Sequence, residues 1–362
     1  MKSIGLIDAD LCDKGTRHPN LALMKISAHW KEKGANTKLL LDYDGIDNFD
    51  EVYISKVFSY THIDKEKEII NKTNVRHGGT GFFFDRAPDL DINIEHHLPD
   101  YHLYDEYVNS EINRGIKRIR FRDYLDYSIG FATRGCFRKC DFCVNRKYKK
   151  VFRHARISEF FDPSRKYIYL WDDNLFAYER WHDVFNELGE TGRRFQCRQG
   201  LDMRLITPEK AIILANSKYI GDYIFAFDFL KDRPVIERKL QIWRKYCSKT
   251  TKLYLLCGYE SQDVNDIISI FERISVLMRF RCLPYIMRYE RWAFSEFKGM
   301  YINIARWCNQ PDFFKKKSFR EYCEANGEFS STMRYLRAFE KQYPEVARRY
   351  FDMKYELTPM DY

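Results

Sequence analysis

Three of the ten cysteines fall inside "RGCFRKCDFC", residues 134–143, with the spacing C-x3-C-x2-C at Cys136, Cys140 and Cys143. Thiols packed that densely suit a metal better than a core. A closed structural zinc site normally takes four protein ligands. The nearest further candidate here is His154, eleven residues beyond Cys143. A cubane [4Fe–4S] cluster has four irons, each normally bound by a thiolate. Three thiolates would hold three of them and leave one iron open to a ligand that is not protein.

With its ending Phe142-Cys143, the motif resembles the signature of the radical S-adenosylmethionine (SAM) superfamily. That resemblance implies that Cys136, Cys140 and Cys143 ligate the cluster and that Phe142 lies against adenine. It implies that the open iron chelates SAM, and that one electron cleaves SAM to methionine and a 5′-deoxyadenosyl radical. An electron donor such as flavodoxin or ferredoxin is then a partner. The family carries a polar motif at the end of its second strand to bind the SAM amino group. Here that place reads "WDDNLF", so Asp172, Asp173 and Asn174 are the candidates. Carboxylates accept charge-assisted hydrogen bonds from an ammonium. The third strand runs into "RQGLDMRLI", where Arg198, Gln199, Asp202 and Arg204 are candidates for ribose or the methionine carboxylate; an ordinary strand-end salt bridge is the competing reading. In "CGYE", Gly258 stands where a backbone would approach adenine closely.

These residues need a scaffold, and the chain supplies an α/β pattern. Apolar strand-like runs recur as "DYSIGFAT", "KYIYLW", "RFQCRQ", "YIFAFD", "KLYLLCGY" and "RCLPYIMRY". Helical patterns such as "YERWHDVFNELGETG", "TPEKAIILANSK" and "DVNDIISIFERIS" fill the gaps. Six strand–helix units in succession predict a parallel sheet curling into a partial (β/α)6, TIM-like barrel over residues 124–300, with the cysteines after its first strand, at the face where barrel active sites lie. Residues 85–123 read as an irregular linker, and 301–362 as a charged, helical C-terminal region containing the amphipathic "SSTMRYLRAFEKQY".

Residues 1–84 resemble the small cobalamin-binding-type (B12-binding-like) Rossmann domain that precedes the barrel in one radical SAM branch. The matching pieces are "HPNLALMKISAHWKEKG", "VYISKVF" and "HGGTG". "DLCDKG" has the layout of D-x-H-x-x-G, whose histidine ligates cobalt in other cobalamin proteins, with Cys12 in the histidine's place. "IDKEKEIINK" is too brief for the full helix expected between Ser55 and Gly78. Part of the surface for a nucleotide tail would then be missing. Cobalamin is therefore carried as an alternative cofactor.

The net charge is +9, and basic residues crowd "RGIKRIRFR" and "RKYKKVFRHAR", the second directly after the cysteines. A positive rim suits an anionic substrate, nucleic acid included; a solvated face with counter-charge for an anionic cofactor suits it equally. Cys197, Cys247, Cys257, Cys282, Cys308 and Cys323 lack the spacing of auxiliary clusters. Of these, Cys308 is a candidate hydrogen-atom donor. The opening "MKSIGLIDADLCDKG" lacks a secretory leader, and no apolar run reaches the ~18 residues of a membrane span. A cytoplasmic enzyme with no membrane partner is expected. It would abstract hydrogen from an unidentified substrate, or C-methylate one if cobalamin binds. The rival from another class is a nucleic-acid-binding module with a structural metal loop.

Overall fold

The computed structural model describes residues 1–16 and 18–357. Two compact units divide it, 1–198 and 199–362.

In the first unit, strands β1 (Ser3–Asp8), β2 (Asn36–Leu40), β3 (Glu51–Ser55) and β4 (Val75–Gly78) form one parallel sheet in the order β2-β1-β3-β4. The period-two alternation of a strand sorts β1 between two cores. Ile4 and Leu6 pack with Leu23, Met24 and Ile26 of the helix Leu21–Glu32, while Ile7 packs with Val52 and Ile54. Asn20 caps that helix, accepting from Leu23 N, and donates to the Ser55 hydroxyl at the end of β3 (2.8 Å). Between β3 and β4 lies only the short helix Glu66–Ile70.

The stretch 85–123, expected as an irregular linker, carries helices at Ile92–Glu95 and Asp105–Asn113. Its Tyr101, Tyr104, Val108 and Phe121 are buried in the same core as Ile4 and Leu6. Tyr101 ties this layer to the next sheet by donating to Phe160 O (2.6 Å) and accepting from Ile129 N (2.8 Å).

A second parallel sheet follows, β5 (Tyr127–Gly130), β8 (Tyr167–Leu170) and β9 (Arg194–Cys197), in the order β5-β8-β9. Between β5 and β8 the chain makes an antiparallel pair of two-residue strands, β6 (Thr133–Arg134) and β7 (Phe152–Arg153).

The second unit holds β10 (Tyr223–Ala226), β11 (Thr251–Cys257) and β12 (Leu283–Arg288), again parallel and in chain order. Helices Arg233–Tyr246 and Val264–Arg279 bury Trp243, Phe271 and Ile274. The guanidinium of Arg273 is interior and donates to the carbonyls of Phe227, Asp228 and Leu256. From Lys298 onward the described chain is a run of helices ending at Tyr350. Residues 358–362 of the expected helical region lie outside the described residues. The six strands read from the sequence are thus present as two three-stranded parallel sheets, and no described helix is long and apolar enough to cross a membrane.

Candidate metal centre

The β6–β7 pair matches Thr133 with Arg153 and Arg134 with Phe152, so residues 135–151 leave and return at one place. Gly135 makes that closure possible. Its φ is +92°, and a Cβ there would stand 2.3 Å from the Lys150 carbonyl oxygen. Only a residue without a side chain fits.

Cys136, Cys140 and Cys143 sit on this loop, partly buried. The sulfurs of two already accept hydrogen bonds. Cys136 Sγ is met by Arg138 N (3.4 Å) and by Asn174 Nδ2 (3.3 Å), and Cys143 Sγ by Asn145 N (3.4 Å). Cys143 N donates to Cys140 O (2.9 Å). N–H groups aimed at sulfur stabilise thiolates and tune iron–sulfur centres, so the donor set fits such a cluster. Among the described residues, no three His, Cys, Asp or Glu side chains converge as the ligands of a single ion would. A cubane does not ask for that, because each thiolate takes its own iron.

The "WDDNLF" residues follow β8 and reach back to this loop. Asp172 is 4% exposed and accepts from Ala132 N (3.1 Å), Thr133 N (2.5 Å) and the Thr133 hydroxyl (2.6 Å). Burial pushes its carboxyl up to about 6 despite those three donors. Asp173 accepts from Gly135 N (2.6 Å) and Asn145 Nδ2 (2.7 Å) and lies 3.5 Å from Arg134 Nε. Asn174 is 3% exposed; its amide nitrogen goes to Cys136, while its Oδ1 is buried without a hydrogen-bond partner, as is Trp171 Nε1. The sequence located this motif but not its division of labour. Both carboxylates hold the cysteine loop in shape, and the unclaimed acceptor belongs to Asn174.

Phe142 lies on the loop, partly buried. Arg198, after β9, places its guanidinium 5.4 Å from the Tyr169 ring and 3.4 Å from His18 Nε2. In the second unit, Gln199 is exposed. Asp202 accepts from Arg204 Nε (2.8 Å), and Arg204 also reaches Asp232 (2.8 Å), which is the strand-end ion pair in geometry. Gly258 has φ +68°, donates its N–H to Asp266 (2.6 Å), and would meet Trp292 Cβ at 2.9 Å with a side chain. Cys308 ends the helix Lys298–Cys308 at 1% exposure, its thiol pushed up by burial.

Sequence reading missed a cavity of about 490 Å³ in the first unit. Ser55 and Gly78 at the ends of β3 and β4 line it, as do Leu21 of the helix Leu21–Glu32, Leu90, and Phe131 and Asn145 beside the cysteines. Residues 84–95 run along it under ion-pair clamps: Asp85 to Arg146 (2.8 Å), Asp89 to Lys147 (2.6 Å) and Glu95 to Lys25 (2.8 Å). Nearby, Cys12 is partly buried with its sulfur 3.9 Å from Leu40 O; burial and the carboxylates of Asp8, Asp42 and Asp10 push its thiol up to about 12. It stays protonated at neutral pH, which disfavours it as a metal ligand.

No family model matches the chain, and no curated protein does. Among solved structures, the chain is similar in fold to the radical S-adenosylmethionine methyltransferase TsrM from Kitasatospora setae, a structure with cobalamin and a [4Fe–4S] cluster bound. The TM-score is 0.53 at 11% identity, over 80% of this chain and 72% of the other. The likeness is one of fold, an α/β architecture with parallel sheets.

Proposed function

We propose that this chain is a radical SAM enzyme. The observation that carries the reading is the loop 135–151, which holds three thiols, with N–H donors aimed at the sulfurs of Cys136 and Cys143. The TsrM likeness, spanning most of both chains, supports it. In this reading residues 1–84 are a short Rossmann-like domain, 85–123 its connection, 124–300 a partial barrel and 301–362 a helical extension. Cys136, Cys140 and Cys143 hold the cluster, which when bound supplies the one-electron cleavage of SAM. The chain positions and shields: Asp172 and Asp173 fix the loop backbone, Asn174 Oδ1 accepts from the SAM ammonium, and Phe142 packs on adenine. Arg198, Gln199, Asp202, Arg204 and Gly258 are the further SAM contacts inferred from the family pattern. The difficult chemistry belongs to the cofactor, while the protein orients the substrate and excludes water. The compartment proposed is the cytoplasm.

Anaerobic reconstitution tests this directly. A brown protein with about four irons per chain that forms 5′-deoxyadenosine from SAM on reduction supports it. A colourless protein with one tight zinc supports the rival structural-metal reading instead. The basic run behind that rival is partly spent already, since Arg146, Lys147 and Arg153 are in ion pairs with Asp85, Asp89 and Glu187.

A second reading, cobalamin-dependent C-methylation, is favoured by the cavity between the front sheet and the cysteine loop and by the cobalamin bound in the TsrM structure. A corrinoid absorption spectrum retained through purification with cobalamin supplied supports it, and its loss counts against it. Cys12 would not be the cobalt ligand.

A further inference from the structure

Trp171 follows β8 and Arg198 follows β9, and these strands are paired at Leu170 and Cys197, so both side chains start from one corner of the sheet. The Arg198 guanidinium lies 5.4 Å from the Tyr169 ring and 3.4 Å from His18 Nε2, and among the described residues no carboxylate pairs with it. The indole N–H of Trp171 is buried with no acceptor. Donors left open at the ends of paired strands suit an anionic ligand, because a core would have satisfied them. His18 comes from outside the barrel region, on the segment between β1 and the helix Leu21–Glu32. Its Nδ1 is buried against the Asp123 carboxylate, and its ring stands edge-on to Trp171 at 6.3 Å. The Tyr124 hydroxyl ties the same segment down by donating to Thr16 O (3.0 Å).

These contacts fix where the imidazole proton sits. A guanidinium has donors only and stays charged in proteins, so Nε2 facing Arg198 must offer its lone pair. A carboxylate beside Nδ1 draws the proton to that nitrogen. The opposite tautomer would set N–H against N–H at Arg198 and a lone pair against a carboxylate at Asp123. We propose that His18 is a positioning residue for Arg198, locked by Asp123 as the Nδ1–H tautomer so that Nε2 holds the guanidinium for the carboxylate of SAM. The inference rests on the radical SAM reading and adds to it a residue that the barrel region does not supply. The planar fork of a guanidinium matches a carboxylate better than a ribose hydroxyl, which selects between the two SAM groups considered for Arg198. The front segment then completes the SAM site whether or not it also holds cobalamin. The competing role is mechanical: His18 would be a clip that fastens the front segment to Asp123, as Tyr124 fastens it at Thr16.

Two measurements on the full chain test this. In the first, long-range proton–nitrogen NMR of the histidine-labelled protein reads the tautomer directly, the His18 signal being assigned by its loss in His18→Gln. The neutral ring should carry its proton on Nδ1, and Asp123→Asn should shift it towards Nε2. An Nε2–H tautomer in the wild type overturns the proposal, and this readout needs no bound SAM. In the second, SAM affinity of the anaerobically reconstituted protein is measured by equilibrium dialysis. The amide of glutamine reaches the place of Nε2 and that of asparagine the place of Nδ1, so each variant keeps one of the two contacts. His18→Gln should stay within about threefold of wild type, whereas His18→Asn should lose about tenfold, as for a hydrogen bond to a charged group. Arg198→Met should lose as much, and adding His18→Asn to it should cost nothing further. The reverse ranking, or a full additional loss in the Arg198→Met background, makes His18 a clip and overturns the proposal. Absence of SAM binding by the wild type sinks the radical SAM reading itself, whereas SAM binding with the wrong tautomer sinks this inference alone.

Discussion

Two segments of the first unit carry cysteine next to aspartate: 9–15, mostly the short helix Ala9–Lys14 after β1, and the loop 135–151 between the antiparallel strands β6 and β7. A buried carboxylate staples distant backbone at each, one carried by the first segment itself and the other by the chain after β8, bonding just ahead of the cysteine loop. Asp10 accepts from Val57 N (2.7 Å), Phe58 N (3.2 Å) and the Thr61 hydroxyl, and Asp172 accepts from Ala132 and Thr133. The thiols differ. Cys12 sits among carboxylates, holds its proton to about 12 and points at a carbonyl, so its sulfur is a donor. Cys136 and Cys143 are approached by N–H groups, so theirs are acceptors. A cysteine's use is set by what its neighbours offer the sulfur, not by the strand-end position it occupies.

The largest consequence is a contrast in metal loading. Cys136→Ala should abolish the cluster absorbance and 5′-deoxyadenosine formation after reconstitution, whereas Cys12→Ala should keep the iron content of the wild type. Equal loss in both variants would erase the distinction between the loops.

Next comes the staple. Asp172→Ala strands two backbone N–H groups and a hydroxyl in a 4%-exposed site. At about 1–3 kcal/mol for each buried group left unsatisfied, urea denaturation should show a loss of about 4 kcal/mol, with iron content falling too. Asp10→Ala should cost stability on a similar scale but leave iron content unchanged, because its partners at Val57, Phe58 and Thr61 do not touch the cysteines.

Glycine separates the loops on a smaller scale. Gly15 and Gly135 both have positive φ, but a Cβ at Gly15 meets nothing within 4 Å, whereas one at Gly135 would strike the Lys150 carbonyl. Gly15→Ala should therefore cost only the conformational penalty of about 1–3 kcal/mol for a positive φ with an extended ψ. Gly135→Ala should cost more and lower cluster occupancy, read as iron per chain. If both variants reconstitute equally, loop closure is not what holds the thiols.

Much of this was legible beforehand, for identifiable reasons. The six strands announce themselves as apolar runs because both faces of a parallel sheet are covered, and the cysteine spacing is local. The segment 85–123 hid because its helices are short and polar, and its structure depends on Tyr101, Tyr104, Val108 and Phe121 finding a core set by residues far earlier in the chain. The motif at 172–174 was found, but the bonds by which its two carboxylates also hold the neighbouring backbone were not. Hydrogen bonds from Asp172 and Asp173 to residues 132–135 join segments about forty positions apart, and nothing in either segment alone encodes them. The cavity was invisible for the same reason.

A further effect is expected in pH dependence, through Asp8 at the front segment. Asp8 ends β1, 2% exposed, accepting from the Tyr104 hydroxyl (2.9 Å) and from Leu11 N (3.3 Å). Burial outweighs those donors and raises its carboxyl from 3.8 to about 6. An acid whose folded pKa exceeds its unfolded one binds its proton more tightly when folded. Stability from this group is therefore gained as pH falls from about 6 towards 4 and lost as pH rises through that window. Asp8→Asn keeps an acceptor for Leu11 N and removes the titration. The pH 4 to 6 slope of unfolding free energy should flatten by about 2 kcal/mol in total. An unchanged slope would mean that Asp8 is ionised at low cost in the folded protein.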